Sequence, residues 1–157
     1  MSAEFESRLA ELEARVAELE RRDAPEPLDD FPSTGGIVAY QGDVHLHGTV
    51  RWDISYSADA IVDLPIASMS EVLAALGHPV RLQIVRTLLR GPANTADLHA
   101  AVGVGSSGQI YHHLKTLSSA NIVEQQGRGD YRIAAKRVVP LLVSMLTAAD
   151  IAGDLGT

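Results

Sequence analysis

The feature that most constrains this chain is a series of short helical segments after residue 69, each ended by glycine or proline. Apolar residues recur there at the three- and four-residue spacing of amphipathic helices. We predict a first helix from Met69 to Leu76, ended by Gly77, and a second that opens at Pro79 and stops at Gly91. Helices this short are unstable alone, so they must pack against one another.

A third and a fourth helix are predicted on either side of a glycine-containing turn. We expect Thr95 to cap the third, which ends at Val102, and the fourth to run from about Ser107 to Ala120. Two helices joined by so short a turn are typical of a helix-turn-helix.

A hairpin and a last helix complete the series. Strands are predicted at 122–125 and 131–134, and an apolar helix from about 138 to 151. The predicted fold is therefore mainly α (α+β), a winged helix-turn-helix over about 69–135 within a domain of 65–157.

The first 22 residues predict a coiled-coil dimerisation helix. Its apolar residues follow the 4, 3, 4, 3 spacing of a heptad repeat: Phe5, Leu9, Leu12, Val16 and Leu19. The flanking e positions are glutamates and the g positions arginines: Glu6, Glu13, Glu20, Arg8, Arg15 and Arg22. A parallel pair brings these opposite charges together, and the alternative is a solvated helix lying on its own domain. Residues 23–35, with several prolines and acids, are predicted to be a linker.

Residues 36–64 predict a small β-sheet extension, an antiparallel β-meander of two or three strands. Turns are expected at 41–43 and at Gly48. Alternation collects apolar side chains on one face: Val44, Leu46, Val50, Trp52, Ile54 and Tyr56. A sheet this small is unstable alone, so this face must cover the core, a partner subunit or a ligand.

Charge is divided unevenly along the chain, whose net charge is −7. Residues 1–30 carry ten acidic and four basic residues, 31–64 carry four and one, and 65–157 carry six and eight. Only the last segment, at +2, suits contact with phosphates. The absence of cysteine excludes disulfides and thiolate metal sites. No secretion signal or membrane segment is expected, so the expected location is the cytoplasm, associated with the nucleoid.

The fourth helix carries the side chains expected to contact DNA. The second helix of a helix-turn-helix enters the major groove, and a flanking hairpin reaches the backbone. Gln109 suits adenine, while Tyr111 and His112 suit bases or phosphates. Phosphate contacts are expected from polar and basic residues of the turn, helix and wing: Ser106, Ser107, Lys115, Arg128 and Arg132. The expected partner is double-stranded DNA.

Four blocks of this sequence resemble the ArsR/SmtB family of winged-helix repressors. They are Leu-Ala-Ala-Leu-Gly-His-Pro-Val-Arg-Leu-Gln-Ile-Val at 73–85, Ala-Asp-Leu at 96–98, Ile-Tyr-His-His-Leu-Lys-Thr-Leu at 110–117 and Ala-Asn-Ile-Val at 120–123. The resemblance implies a homodimer joined by its first and last helices, an inverted-repeat operator and release by an effector. In the last helix this implies an interface with Leu141, Leu142 and Met145.

The sequence departs from that family in two ways. The turn at 104–109 is one residue longer than the usual pattern. The residues that contact bases could therefore be shifted by one position from those named above. The family's metal ligands are missing, because Leu98 and His99 stand in the third helix and 138–149 holds no acid or histidine. We therefore expect no metal or cofactor, and the strands at 36–57 become the natural place to look for regulation.

A glycine pattern competes with this interpretation. The segment 103–108 matches the Gly-x-Gly-x-x-Gly fingerprint of dinucleotide-binding folds. A Rossmann fold needs a strand before Gly103, where the periodicity predicts a helix. We therefore expect this chain not to be an enzyme.

Histidines and aromatic residues leave further alternatives open. His45 and His47, near Asp53 on a neighbouring strand, suit zinc, although polar residues on the wet face of a sheet are the simpler interpretation. The aromatic residues Tyr40, Trp52 and Tyr56 line either a pocket or the core. His112 and His113 are expected to be one groove-facing and one partly buried residue.

These patterns together predict a homodimeric, ArsR-like DNA-binding repressor. The alternative is an interaction or architectural protein that bridges DNA through its coil and sheet. The charge of only +2 on residues 65–157 keeps that alternative open, because strong nucleic-acid modules are more basic.

Overall fold

The computed structural model describes Arg8, Glu11, Leu12 and Arg15, then residues 35–103 and 106–156. In the two continuous ranges the elements are β1 (Ile37–Val44), β2 (Val50–Ser57), α1 (Ala58–Val62), α2 (Ile66–Leu76), α3 (Pro79–Leu89), β3 (Ala93–Asn94), α4 (Thr95–Val102), α5 (Ser107–Ser119), β4 (Glu124–Gln125), β5 (Asp130–Arg132) and α6 (Ala135–Ala152). From α2 onward this is the predicted order of a winged helix-turn-helix. The predicted fold class is confirmed.

The hydrophobic core lies where helices α2 to α6 meet. Its fully buried side chains come mainly from the apolar stripes of α3, α4 and α5: Ile84, Val85, Leu98, Ile110, Leu114 and Leu117. Burying one such side chain stabilises the fold by about 1.5–3 kcal/mol. Helix α5 is thus fixed by one face, and its opposite face is left at the surface.

The wing is a three-stranded sheet in the order β3-β5-β4. Strand β5 pairs antiparallel with both neighbours, so that Tyr131 lies opposite Ala93 and Arg132 opposite Glu124. The two predicted wing strands are shorter than expected. Strand β4 begins only at Glu124, because the amides of Ile122 and Val123 donate to the Leu117 carbonyl at the end of α5 and not across the ladder. Strand β3, only two residues long, was not predicted.

Strands β1 and β2 form one antiparallel hairpin, not a meander, with Val44 opposite Val50. The turn predicted at 41–43 is wrong, since these residues lie inside β1 with Gly42 opposite Trp52. A Cβ added at Gly42 would lie 2.7 Å from a methyl carbon of Val139. The glycine therefore serves close approach of the strand to α6 and does not form a turn.

The sheet extension ends earlier than the predicted residue 64, because α1 follows β2 directly. Ser57 starts this helix, since its hydroxyl oxygen accepts a hydrogen bond from the Ala60 amide at 3.1 Å. The apolar face of the hairpin rests on α6 of the same chain. The chain's own core domain therefore covers part of the predicted face. Leu46 lies in the turn and is 50% exposed, and Tyr56 is 48% exposed, so the prediction that these two share the covered face is wrong.

Little of the predicted coiled coil falls within the described residues. Arg8, Glu11, Leu12 and Arg15 are helical and exposed. The other proposed coil positions, including Leu9, Val16 and Leu19, lie outside the described residues, as does the linker up to residue 34. Among the residues that are described, no helix is long and apolar enough to cross a membrane.

Candidate nucleic-acid interface

Helix α5 presents a polar face to solvent. With Ile110, Leu114 and Leu117 buried, the exposed positions of α5 include four of the eight predicted DNA contacts, together with Gly108 and Ser119. The four are Gln109, Tyr111, His112 and Lys115. The structure therefore brings Gln109, Tyr111, His112 and Lys115 together on one surface. A face of this kind on the second helix of a helix-turn-helix has the shape that a major groove accepts.

The N-terminus of α5 is closed by a capping box between Ser106 and Gln109. The Gln109 Oε1 accepts from the Ser106 amide at 3.1 Å, and the Gln109 amide donates to the Ser106 carbonyl at 3.0 Å. Bidentate reading of adenine requires both the oxygen and the amide nitrogen of a glutamine. In this conformation Gln109 Oε1 already accepts one hydrogen bond, while its amide nitrogen is free to donate. The Ser-x-x-Gln spacing is a known sequence signal for this cap, which the sequence analysis missed.

The wing is tied to the start of α4 by two hydrogen bonds. The Gly129 carbonyl accepts from the Thr95 amide at 3.0 Å and from the Thr95 hydroxyl at 3.1 Å. Thr95 is therefore not the N-cap that we predicted. Asn94 is the cap, with its side-chain oxygen 2.9 Å from the Asp97 amide. The wing turn and the helix-turn-helix are thus fixed relative to each other.

The basic residues of the wing differ in whether they already form ion pairs with carboxylates of the protein. Arg132 donates from Nε to Glu124 at 2.7 Å, and Arg137 lies 3.8 Å from the same carboxylate. A phosphate would have to compete with Glu124 for Arg132. Arg128, by contrast, is exposed in the wing turn. Among the described residues neither Arg128 nor Lys115 forms an ion pair.

Two neighbouring histidines on α5 have different environments, as predicted. His112 is exposed, whereas His113 is half-buried with its ring 4.8 Å from that of His78. Burial lowers the pKa of His113, and the nearby His78, Arg81 and His112 lower it further. His113 is therefore held in its neutral form and does not add to the positive charge of the interface.

The other candidate sites from the sequence are not supported by their surroundings. His45 and His47 lie in the hairpin turn and not on a strand, and His45 contacts Asp43 at 3.1 Å. Asp53 lies within β2 opposite Gln41, so the expected grouping of these histidines with Asp53 is wrong. No cluster of three or more potential metal-binding side chains occurs in the part of the chain that the structure describes.

The glycine fingerprint has a helical context. Gly103 follows α4 and ends it in the left-handed conformation, with φ of 68°. The strand that a dinucleotide site needs before this glycine is absent from residues 95–102, which are helix α4. Gly103 therefore serves as a helix C-cap.

An apolar groove lies between α2, α3 and α6. Its lining includes Leu73, which is 66% exposed, and Leu146, which is 54% exposed. Of the predicted interface residues of α6, Met145 lines this groove and Leu142 is partly buried against the core. Leu141 is only 6% exposed and packs within its own core, so it is not available for direct contact with a partner.

Comparison with known proteins gives matches to the winged-helix part of the chain. Residues 69–142 match a family model described as a domain of unknown function (DUF7347). No curated protein matches the sequence.

Solved structures of transcriptional regulators are similar to this chain. The transcriptional repressor BigR from Xylella fastidiosa is 28% identical, with 51% of this chain and 84% of that chain covered and a TM-score of 0.43. A homodimeric winged helix-turn-helix domain from Mycobacterium bovis, described as a possible ArsR-family regulator, is 28% identical, with coverage of 59% and 83% and a TM-score of 0.46. Rv0081 from Mycobacterium tuberculosis is 25% identical, with coverage of 55% and 92% and a TM-score of 0.46.

Proposed function

We propose that this protein is a sequence-specific DNA-binding transcriptional regulator. The observation that carries the proposal is the exposed polar face of α5, next to a wing that Thr95 and Gly129 hold in place. In this proposal α5 enters the major groove and the wing lies along the neighbouring backbone. The protein is then a binding protein of the cytoplasm and not an enzyme.

The side chains of the interface divide into base and phosphate contacts. Gln109, Tyr111 and His112 are proposed to contact base edges, with the amide nitrogen of Gln109 free to donate while its oxygen keeps one bond in the capping box. Ser106, Ser107, Lys115 and Arg128 are proposed to contact phosphates, and Arg132 does so only if it gives up part of its pairing with Glu124. The net charge of +2 on residues 65–157 implies that affinity depends on few phosphate contacts and is moderate.

A homodimer is proposed to present two such interfaces to an inverted repeat. The apolar groove with Leu73 and Leu146 is the surface that a second copy would cover, since exposed apolar patches of this kind mark interaction sites. The predicted parallel coil of residues 1–22 would add to the same dimer. In this proposal, the bound dimer represses transcription because it competes with RNA polymerase for a promoter that overlaps the operator.

The regulator is proposed to work without the ArsR family's usual metal sites. Helix α4 carries Leu98 and His99 at the positions expected for cysteine ligands, and Leu98 is fully buried. Residues 138–149 of α6 contain no acid or histidine. Control by an effector must therefore use another site.

Selection of genomic DNA fragments by the purified full chain at about 0.15 M salt tests the proposal. Three variants belong in the experiment: Gln109→Ala, Lys115→Ala and, as a control, Arg51→Ala, which removes an exposed positive charge from the hairpin. We expect the wild type and the control to recover one inverted-repeat sequence. Gln109→Ala should lose preference at one position of each half-site, and Lys115→Ala should weaken binding to all fragments.

Two results would contradict the proposal. Equal recovery of all fragments would point to an architectural protein that bridges DNA without reading its sequence. Recovery of no DNA above background would point to a protein that acts through protein partners only.

A further inference from the structure

A small cavity lies between the hairpin, the end of α3 and the base of the wing. Its volume is about 250 Å³. On the hairpin side it is lined by Val44, His47 and Val50, and on the wing side by Gln126 and Arg132. It therefore joins the element added to the winged helix with the element that flanks the DNA-reading helix.

Apolar side chains form one part of the wall of this cavity, and polar groups form the rest. Leu88, Leu89 and Ile133 line it and are buried, and Val138 completes the wall at the start of α6. A dry cavity of about 150 Å³ is large enough for benzene. A volume of about 250 Å³ therefore suits a ring or short chain that carries one additional polar group.

Three polar side chains that can donate hydrogen bonds lie at the opening of the cavity. His47, Gln126 and Arg132 line the cavity and are exposed. Within the described residues, the side chains of His47 and Gln126 form no hydrogen bond or ion pair. Arg132 donates from Nε to Glu124, and within the described residues its two terminal nitrogens form no hydrogen bond and remain available as donors.

The charge at the opening is positive. Two guanidinium groups, of Arg132 and Arg137, share the single carboxylate of Glu124 at 2.7 and 3.8 Å. Two guanidinium groups against one carboxylate leave one positive charge in excess next to the cavity, which Arg132 lines. An arginine fork matches the geometry of a carboxylate, which it binds through two parallel hydrogen bonds.

We propose that this cavity binds a small carboxylic acid with an apolar ring or chain. The apolar part fills the space between the hairpin and Leu88, and the carboxylate binds the free nitrogens of Arg132 with His47 and Gln126 beside it. Such a ligand bridges the hairpin and the wing. If the proposed function holds, this ligand is also the effector, because its carboxylate binds the Arg132 nitrogens that a DNA phosphate would otherwise contact.

The test measures ligand binding alone, so its result does not depend on DNA binding. The probe is 4-fluorobenzoate, titrated into the full chain and followed by fluorine NMR, with 4-fluorobenzamide as its neutral counterpart. We expect saturable binding of the carboxylate that is at least about tenfold tighter than that of the amide. No binding of 4-fluorobenzoate up to about 10 mM, or equal binding of acid and amide, overturns the proposal.

Two variants distinguish contact with the ligand from loss of structure. Arg132→Gln and Glu124→Gln each remove the same Arg132–Glu124 ion pair. We expect Arg132→Gln to weaken binding at least about tenfold, and Glu124→Gln, which leaves Arg132 unneutralised, to strengthen it. Arg128→Gln makes the same charge change in the wing turn outside the cavity and should leave affinity within about twofold. Equal weakening by Arg132→Gln and Glu124→Gln, or by Arg128→Gln, contradicts the proposed site.

Discussion

At the scale of single residues, the hydroxyl of Thr95 is more important for the wing than for its helix. Its hydrogen bond to the Gly129 carbonyl joins two parts of the chain 34 residues apart. The sequence analysis assigned Thr95 to the helix cap because its position fitted that role. Asn94 has an equally good side chain one residue earlier, and local sequence does not distinguish two adjacent caps.

Replacement of Thr95 by valine tests this role. Thr95→Val keeps the shape of the side chain and the backbone bond to Gly129 but removes the hydroxyl bond of 3.1 Å. We expect the free energy of unfolding to fall by about 1 kcal/mol, measured by urea denaturation. Thr147→Val is the matched control, because its hydroxyl bonds only to carbonyls of its own helix at an exposed position, and it should change the stability by less than about 0.5 kcal/mol.

The lowered pKa of His113 predicts how stability changes with pH. Its pKa lies below the usual 6.5 in the folded chain, chiefly because of burial and then because of His78, Arg81 and His112. As the pH falls, the unfolded chain therefore takes up this proton first, and stability falls with it. The contribution of neutral His113 is complete above pH 6.5 and is lost as the pH falls from 6.5 to the folded pKa.

Urea midpoints at several pH values between about 4.5 and 7.5 check this expectation. The wild type should lose more stability over the acid part of that range than His113→Leu does. His45→Gln, which replaces an exposed histidine of the hairpin turn, should follow the wild type. Parallel curves for wild type and His113→Leu would show that His113 does not titrate as its surroundings require.

At the scale of elements, what could be predicted from the sequence follows the strength of its periodic patterns. Helices α3, α4 and α5 were placed to within about two residues, because their apolar stripes and their glycine and proline breaks are local signals. The prediction of a turn at 41–43 was wrong because a glycine is needed at position 42 for close packing against α6, almost a hundred residues away along the chain. Local sequence does not show such a contact. The pairing of Arg132 with Glu124 across the wing likewise depends on strand register.

The packing of the hairpin against α6 can be tested at Gly42. A side chain there would clash with Val139, so Gly42→Val should push β1 away from α6 and destabilise the chain by about 1–3 kcal/mol. Trp52, the only tryptophan, lies opposite Gly42 and reports the change as a red shift of its fluorescence. Gly127→Ala serves as the control, because its added Cβ would be in ordinary contact, 3.7 Å from Asp130. An unchanged spectrum and stability for Gly42→Val would mean that the hairpin does not rest on α6.

At the scale of the whole molecule, the proposed dimer depends on the apolar groove between α2, α3 and α6. Glutamate at Leu146 would place a charge in that interface, so Leu146→Glu should weaken dimerisation at least about tenfold in sedimentation experiments on the full chain. Thr147→Glu puts the same charge on the next, also exposed, residue of α6 and should leave dimerisation nearly unchanged. Equal dimerisation of both variants would contradict the proposed dimer interface at this groove.

The surface that meets DNA is the central claim of this account, and NMR of the isotope-labelled full chain with a duplex of mixed sequence tests it most directly. At about 0.05 M salt, where non-specific binding is strong, we expect the largest shifts of backbone amide signals in α5 and in the wing turn around Arg128. The amides of β1 and β2 should shift little. Shifts concentrated in the hairpin, or none on α5, would contradict the claim that this helix and its wing form the DNA-binding surface.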